Sequence, residues 1–424
     1  MLDFFKKWVN YFFLLIVLVI ILFESKGEGD FKIFIDASRD LLLGKNIYQE
    51  TYNNWYHYYY DVLFALFLVP LSFLPLYFSK LIWLALNVFF TYQVFKIIWE
   101  WLPIYLLNPD KKKVFKFLSF VFVLAFLRDN FHTSQLTIFI LFLTLQGLDF
   151  IRGNQKFKGS ILLALGVTIK ILPIVFIPYL IYRSEIKSAV LVIVLVVFYL
   201  FLPILFIGNE YNNYLLKERW RIINPANTEH VMDTGERSFH SLTTLLSTLL
   251  VKDCGDKLAL PVKRNIFDVS IKTLNTVINL VRLVLVFGVL FFIRSRPFKV
   301  ASSNLQSFYE ISYLCLLVPL IFPHQQHYAF LFILPATSYM LFYIIYLHFQ
   351  KKIDNQTEAG LYKKVSILFI MVFVYLLTNS HFILGAYNKW YDHFKTLTYG
   401  ALILLVILAF SNPKIIESDL SINK

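Results

Sequence analysis

ILLALGVTIKILPIVFIPYLIY, residues 161 to 182, is 22 residues long and almost wholly apolar, with Lys170 near its middle. Crossing the roughly 30 Å hydrocarbon core of a bilayer takes about 20 such residues of helix. A helix apolar all round is buried in lipid or in a large core. The stretch therefore reads as a membrane span. A lysine at that depth costs about 2.5–3.5 kcal/mol or more, so it must face a cavity or an anionic partner. Two readings stand: an ion pair with an acid on another helix, or a site for a ligand anion such as a phosphate. Pro173 and Pro178 kink the run and free carbonyls beside the lysine.

The rest of the chain has the same character. Its 424 residues are 58% hydrophobic, 18% aromatic and only 16% charged, with mean hydropathy +0.64. A soluble domain carries about a quarter charged residues. Comparable apolar runs occupy Trp8–Phe23, Val62–Phe78, Leu81–Trp99, Ala189–Ile207, Val269–Ile293, Tyr328–Leu347 and Val365–Leu384. Shorter runs lie at Val114–Leu127, Leu136–Ile151, Phe308–Phe322 and Thr396–Phe410. The expectation is an all-α polytopic membrane protein with about twelve spans. It forms a single integral-membrane domain, since no hydrophilic stretch is long enough for a separate core. The first run is preceded by Lys6 and Lys7 and lacks a small-x-small cleavage site, so it reads as an uncleaved anchor.

The net charge of +13 would suit nucleic acid in a soluble protein. Here the basic residues collect at helix ends, as the positive-inside rule requires, and no nucleic-acid partner is expected. Arg294, Arg296 and Lys299 share one connection, Lys351, Lys352, Lys363 and Lys364 another, and Lys414 the tail. Placing these in the cytoplasm puts residues 25–60 and 209–268 outside. The second of these loops holds eight basic and eight acidic residues and reads as solvated and partly helical. Lys111–Lys113 break the pattern. The runs flanking RDNFHTSQ (Arg128–Gln135) are short enough to be half-spans bringing a polar turn to membrane depth. Cys254 and Cys315 give neither a metal cluster nor a disulfide framework.

The first outer loop carries Glu28, Asp30, Asp36 and Asp40. On a helix over Phe31–Gly44, Phe31, Phe34, Ile35, Leu41 and Leu42 share one face, and Lys32, Asp36, Arg39 and Asp40 the other. That is an interfacial helix ended by Gly44. Asp36 then pairs with Lys32 and Arg39 as ordinary surface charge. Asp30, after Gly27 and Gly29, stands at the N-cap position. It is either a capping acid or a general base at the bilayer surface. Further polar candidates are His324 and His327 in IFPHQQHYAF, Arg237 and His240 in GERSFHSL, and Gln135 with His132. His324 and His327 lack a third ligand of suitable spacing, so they suit hydrogen bonding to a polar substrate better than a metal. The cluster Tyr52, Trp55, Tyr56, His57, Tyr58, Tyr59 and Tyr60 reads as an interfacial belt, and it also suits stacking on sugar or prenyl surfaces.

Together these motifs resemble glycosyltransferase family 87, polyprenol-phosphate-dependent and mannosyltransferase-like enzymes of the GT-C superfamily. The likeness runs from about residue 8 to 345. Its elements are Asp30, Phe34, Gly44 and Tyr48; then Tyr58–Asp61 with Pro70 and Pro75; then Ser134-Gln135-Leu136-Thr137. Lys170–Pro173, an altered Gly235-Glu236-Arg237-Ser238, and Pro323, His327 and Tyr328 complete the series. The resemblance implies a GT-C-type bundle in the bacterial inner membrane. Its active site would face the exterior and take a sugar, mannose above all, from a polyprenyl-phosphate donor to a glycan or glycolipid acceptor. Asp30 becomes the catalytic base. Lys170, Arg237, His327, His324, Gln135, Tyr48 and Tyr58 become substrate- or phosphate-binding residues, with no metal or other cofactor. A secondary transporter, or a polymerase or ligase of lipid-linked glycans, is the competing class. A transporter usually shows repeated halves, and none is visible here.

Overall fold

The computed structural model describes residues 15–52, 56–224, 227, 229–232, 238–252, 254, 260–350 and 358–422. The chain is an all-α multi-pass membrane protein: among the described residues the elements are helices and their connections. Five helices are long and apolar enough to cross a bilayer: Leu76–Trp101, Ile186–Ile207, Ile271–Ile293, His327–Leu347 and Thr396–Ser418. The bent pair Leu124–Thr133 and Thr137–Arg152, turned by 119°, makes a sixth if counted as one span. The expected count of about twelve is therefore not reached among the described residues. Several apolar runs break into pieces shorter than a bilayer. Val62–Phe78 ends as a helix at Ser72, and Ile161–Tyr182 breaks at Lys170.

The chain divides into two compact units, residues 1–94, 128–171 and 191–224, and residues 95–127, 172–190 and 225–424. In the first, the helices that matter for the site are α1 (Phe31–Leu42), α2 (Val62–Ser72), α3 (Leu76–Trp101, its first part), α4 (Leu124–Thr133, its last turns), α5 (Thr137–Arg152), α6 (Lys156–Ile169) and α7 (Asn209–Ile223). Helix α1 buries Phe31, Phe34, Ile35 and Leu41 as its pattern requires, but also Ile33, Ala37 and Ser38. It packs on α2, so its apolar face meets protein rather than lying open as an interfacial helix would. Only Leu42 of the expected face is exposed. Gly44, at φ +72°, ends α1 as expected, with the Lys45 amide donating to the Asp40 carbonyl.

Helices α5 and α6 form a tight antiparallel pair. A Cβ on Gly159 would lie 2.4 Å from the Gly147 carbonyl oxygen, so the backbones touch where both positions lack side chains.

The second unit is built around the helix Asn304–Ile321, buried from Leu305 to Leu320, and the span His327–Leu347. Within it Glu310 is fully buried and takes hydrogen bonds from Arg183, Tyr179 and Gln306. Cys254 and Cys315 are both buried.

Candidate active site

The turn Gly27–Asp30 is held from two sides. The Asp30 amide donates to the Thr133 carbonyl at 2.9 Å, and the fully buried Lys80 of α3 donates to the Gly27 carbonyl at 2.8 Å. Gly29 sits at φ +56°, where a Cβ would come within 3.0 Å of the Thr133 oxygen. Asp30 occupies the N-cap position of α1, but its backbone is helical and its side chain makes no cap hydrogen bond. The capping alternative is thereby removed. Its carboxylate instead accepts a hydrogen bond from Gln135 Nε2.

Gln135 is 1% exposed and comes from the turn between α4 and α5, where Ser134 adopts φ +57°. The sharp bend expected over Arg128–Gln135 is present, and Trp83 of α3 fixes it by donating from its indole nitrogen to the Ser134 carbonyl at 3.0 Å. The other end of the Gln135 amide accepts from the Tyr60 hydroxyl at 3.2 Å, which sets its orientation. Burial first, and then the charge of Asp30, hold the Tyr60 phenol above its usual range, so it stays protonated and donates.

Lys170 completes the group. Helix α6 stops at Ile169, and Lys170 is extended (φ −142°, ψ 116°), which breaks the run three residues before Pro173, a residue with no amide hydrogen to continue it. Its Nζ lies 5.7 Å from the centre of the Tyr60 ring, a cation–π distance. Asp30 is the acid whose charge acts on it. Two residues 140 positions apart in the chain therefore share one electrostatic neighbourhood, bridged by Tyr60 and Gln135.

Tyr48 and Tyr58 lie beside this group but serve the backbone. Both are buried, and their hydroxyls donate to the carbonyls of Tyr60 (2.9 Å) and Asp61 (2.8 Å). Asp36 pairs with Arg39 at 3.1 Å, whereas Lys32 turns to Glu28 at 3.0 Å. His324 and His327 belong to the second unit. There His324 meets His230 at 2.7 Å, and His327 is buried with its ring 4.8 Å from that of His381 and 6.4 Å from that of His240. Segments GERSFHSL and IFPHQQHYAF do meet, through the His240 amide and the Gln325 carbonyl at 2.8 Å. Arg237 lies outside the described residues.

Two participants, Lys80 and Arg219, escaped the sequence reading, and Asp61 entered it only as the end of the Tyr58–Asp61 element. Lys80 falls between the apolar runs 62–78 and 81–99, where it passes for flanking charge. Asp61 and Arg219 form a buried ion pair, with Arg219 coming from the 209–268 segment that composition marked as solvated. That expectation is corrected for α7: it is helical, but Asn212, Leu215 and Arg219 point inward. The available signal was Leu215, one helical turn before Arg219 on the same face.

The family model for glycosyltransferase family 87 matches residues 58–323, well over half of the chain. The chain belongs to glycosyltransferase family 87. No curated protein matches it. Within this family 87 glycosyltransferase the matched segment contains Tyr60, Asp61, Gln135, Lys170 and Arg219. Asp30 precedes it, and His324 and His327 follow it.

Proposed function

We propose that this glycosyltransferase moves a sugar, mannose in our reading, from a polyprenyl-phosphate donor to a hydroxyl of a glycan or glycolipid acceptor. The chain acts as one integral-membrane domain with a GT-C-type bundle, in the bacterial inner membrane, with its site on the outer face. Asp30 takes the proton from the acceptor hydroxyl. The oxygen attacks the anomeric carbon from the side opposite the phosphate, and the bond to the phosphate oxygen breaks with its electron pair, inverting the centre. Lys170 offsets the charge that grows on the departing phosphate. Nucleotide sugars are confined to the cytoplasm, so an outward site calls for a lipid-borne sugar.

The observation that carries this reading is the cluster Asp30, Gln135, Tyr60 and Lys170. It sets a carboxylate, oriented by a neutral amide, near an ammonium that Tyr60 faces. A base and a leaving-group cation are what inverting transfer from a phosphate needs. The test is labelled polyprenyl-phosphate mannose incubated with membranes carrying the protein. Wild type is expected to transfer label, and Asp30→Asn to lose transfer at unchanged expression. Transfer retained by Asp30→Asn removes the base assignment.

A further inference from the structure

The ion pair Asp61–Arg219 touches both halves of the Lys170–Tyr60 contact. On one side, α6 ends at Ile169, and the extended Lys170 with Pro173 beyond it leaves the last carbonyls of the helix without intrahelical donors. Arg219 supplies one: its guanidinium donates to the Thr168 carbonyl at 2.9 Å. On the other side, a second guanidinium nitrogen donates to the Asp61 carboxylate. Asp61 directly follows Tyr60, and it caps α2 by accepting from the Leu63 amide at 2.8 Å. One planar cation thus fixes the backbone two residues before Lys170 and one residue after the ring that Lys170 faces.

The helix bearing Arg219 is itself anchored. Glu218 accepts from Gln49 at 2.7 Å and from Asn46 at 3.2 Å, and the Tyr211 hydroxyl donates to the Lys45 carbonyl at 2.5 Å. Burying an ion pair is a poor way to gain stability, because desolvation offsets the attraction. What a rigid two-pronged fork does supply is geometry.

We propose that Arg219 is a positioning residue for Lys170, holding the break at the end of α6 and the Tyr60–Asp61 turn in one fixed relation. The proposal rests on Lys170 acting at the donor phosphate, and it predicts more than that reading does. Arg219→Lys keeps a cation for Asp61 but cannot span both partners. It is expected to fold as wild type and to lose about tenfold or more in kcat with labelled polyprenyl-phosphate mannose, the scale of a displaced positioning group. Acceptor KM should stay unchanged. Adding Arg219→Lys to Lys170→Ala should cost little further activity, since the residue it positions is already gone. A second readout needs no turnover. Acylation of Lys170 by an amine reagent, followed by mass spectrometry of the full-length protein, should change rate several-fold in Arg219→Lys and in Arg219→Gln.

Wild-type kcat in Arg219→Lys, independent losses that multiply in the double variant, or Lys170 acylation unmoved in both Arg219 variants overturns the positioning role. Full activity in Lys170→Ala would instead sink the phosphate assignment, while the acylation result would still report on Arg219.

Discussion

Asp30 divides its bonds between backbone and side chain: the amide goes to Thr133, the carboxylate to Gln135. A hydrogen bond donated to a carboxylate favours its charged form, and a second carboxylate nearby disfavours it. Gln135→Glu exchanges the first situation for the second. The acid limb of the pH–rate profile should move upward by about one pH unit or more, which lowers the rate about tenfold at any fixed pH on that limb. An unmoved limb would show that Gln135 has no hold on Asp30. Tyr60→Phe separates the two tasks of that ring. It keeps the face presented to Lys170 and loses only the hydroxyl bonded to Gln135, worth about 1 kcal/mol, so several-fold slower transfer is expected. Tyr60→Leu loses both and should be slower still. Asp30 was legible as a special acid because two glycines precede it where a span hands over to a helix. Gln135 was legible as a candidate but not as the partner of Asp30, because nothing local signals a bond that reaches across 105 residues of chain.

Helix ends, rather than helix middles, carry the site. Asp30 opens α1, Gln135 lies between α4 and α5, Asp61 caps α2 and Lys170 terminates α6. Backbone groups are unpaired at such ends, and polar side chains gather there. The sequence placed the far end of α1, through Gly44, but at Pro173 it offered only a kink within one continuous span. It hid the end at Ser72, because Phe73 and Leu74 keep the run apolar. Two glycines test the supports. At Gly29 an alanine meets a left-handed backbone that costs an L residue about 1–2 kcal/mol, and its methyl crowds the Thr133 oxygen at 3.0 Å. Since Thr133 anchors Asp30, Gly29→Ala should reduce transfer far more than it reduces the melting temperature of detergent-solubilised protein. At Gly159 the order reverses. A methyl would lie 2.4 Å from the Gly147 oxygen and 2.6 Å from Ile151 Cγ1, so the α5–α6 pair must part. Overpacking of this kind costs about 1–3 kcal/mol, and Gly159→Ala should show it as a lowered melting temperature.

Across the whole chain, hydropathy reported composition correctly and segmentation poorly. Four of the long apolar runs, 81–99, 189–207, 269–293 and 328–347, recur as helices long enough to span, and the short run 396–410 extends into a fifth. The run 62–78 yields only an 11-residue helix, about 16 Å at 1.5 Å per residue, because the chain breaks before Pro75. Burial was hidden too: the span His327–Leu347 is 94% buried inside the protein and Ile186–Ile207 only 11%, although both are apolar enough to cross a bilayer. Charges and histidines enclosed in this way make stability depend on pH. In the second unit His240 is fully buried, and burial, opposed by Asp392 at 3.2 Å and reinforced by Lys395 and His327, lowers it from 6.5 to about 4. Unfolded, the same ring takes up its proton near 6.5. Between those values the unfolded chain binds more protons than the folded one, so stability falls as pH drops through the window and is fully present above it. The shift corresponds to a loss on the order of 3 kcal/mol. Melting temperatures measured from pH 7 to pH 4 should fall more steeply for wild type than for His240→Gln, which has no proton to take up. Parallel curves would mean that the ring titrates alike in both states, and that its enclosure costs the folded protein nothing as acid is added.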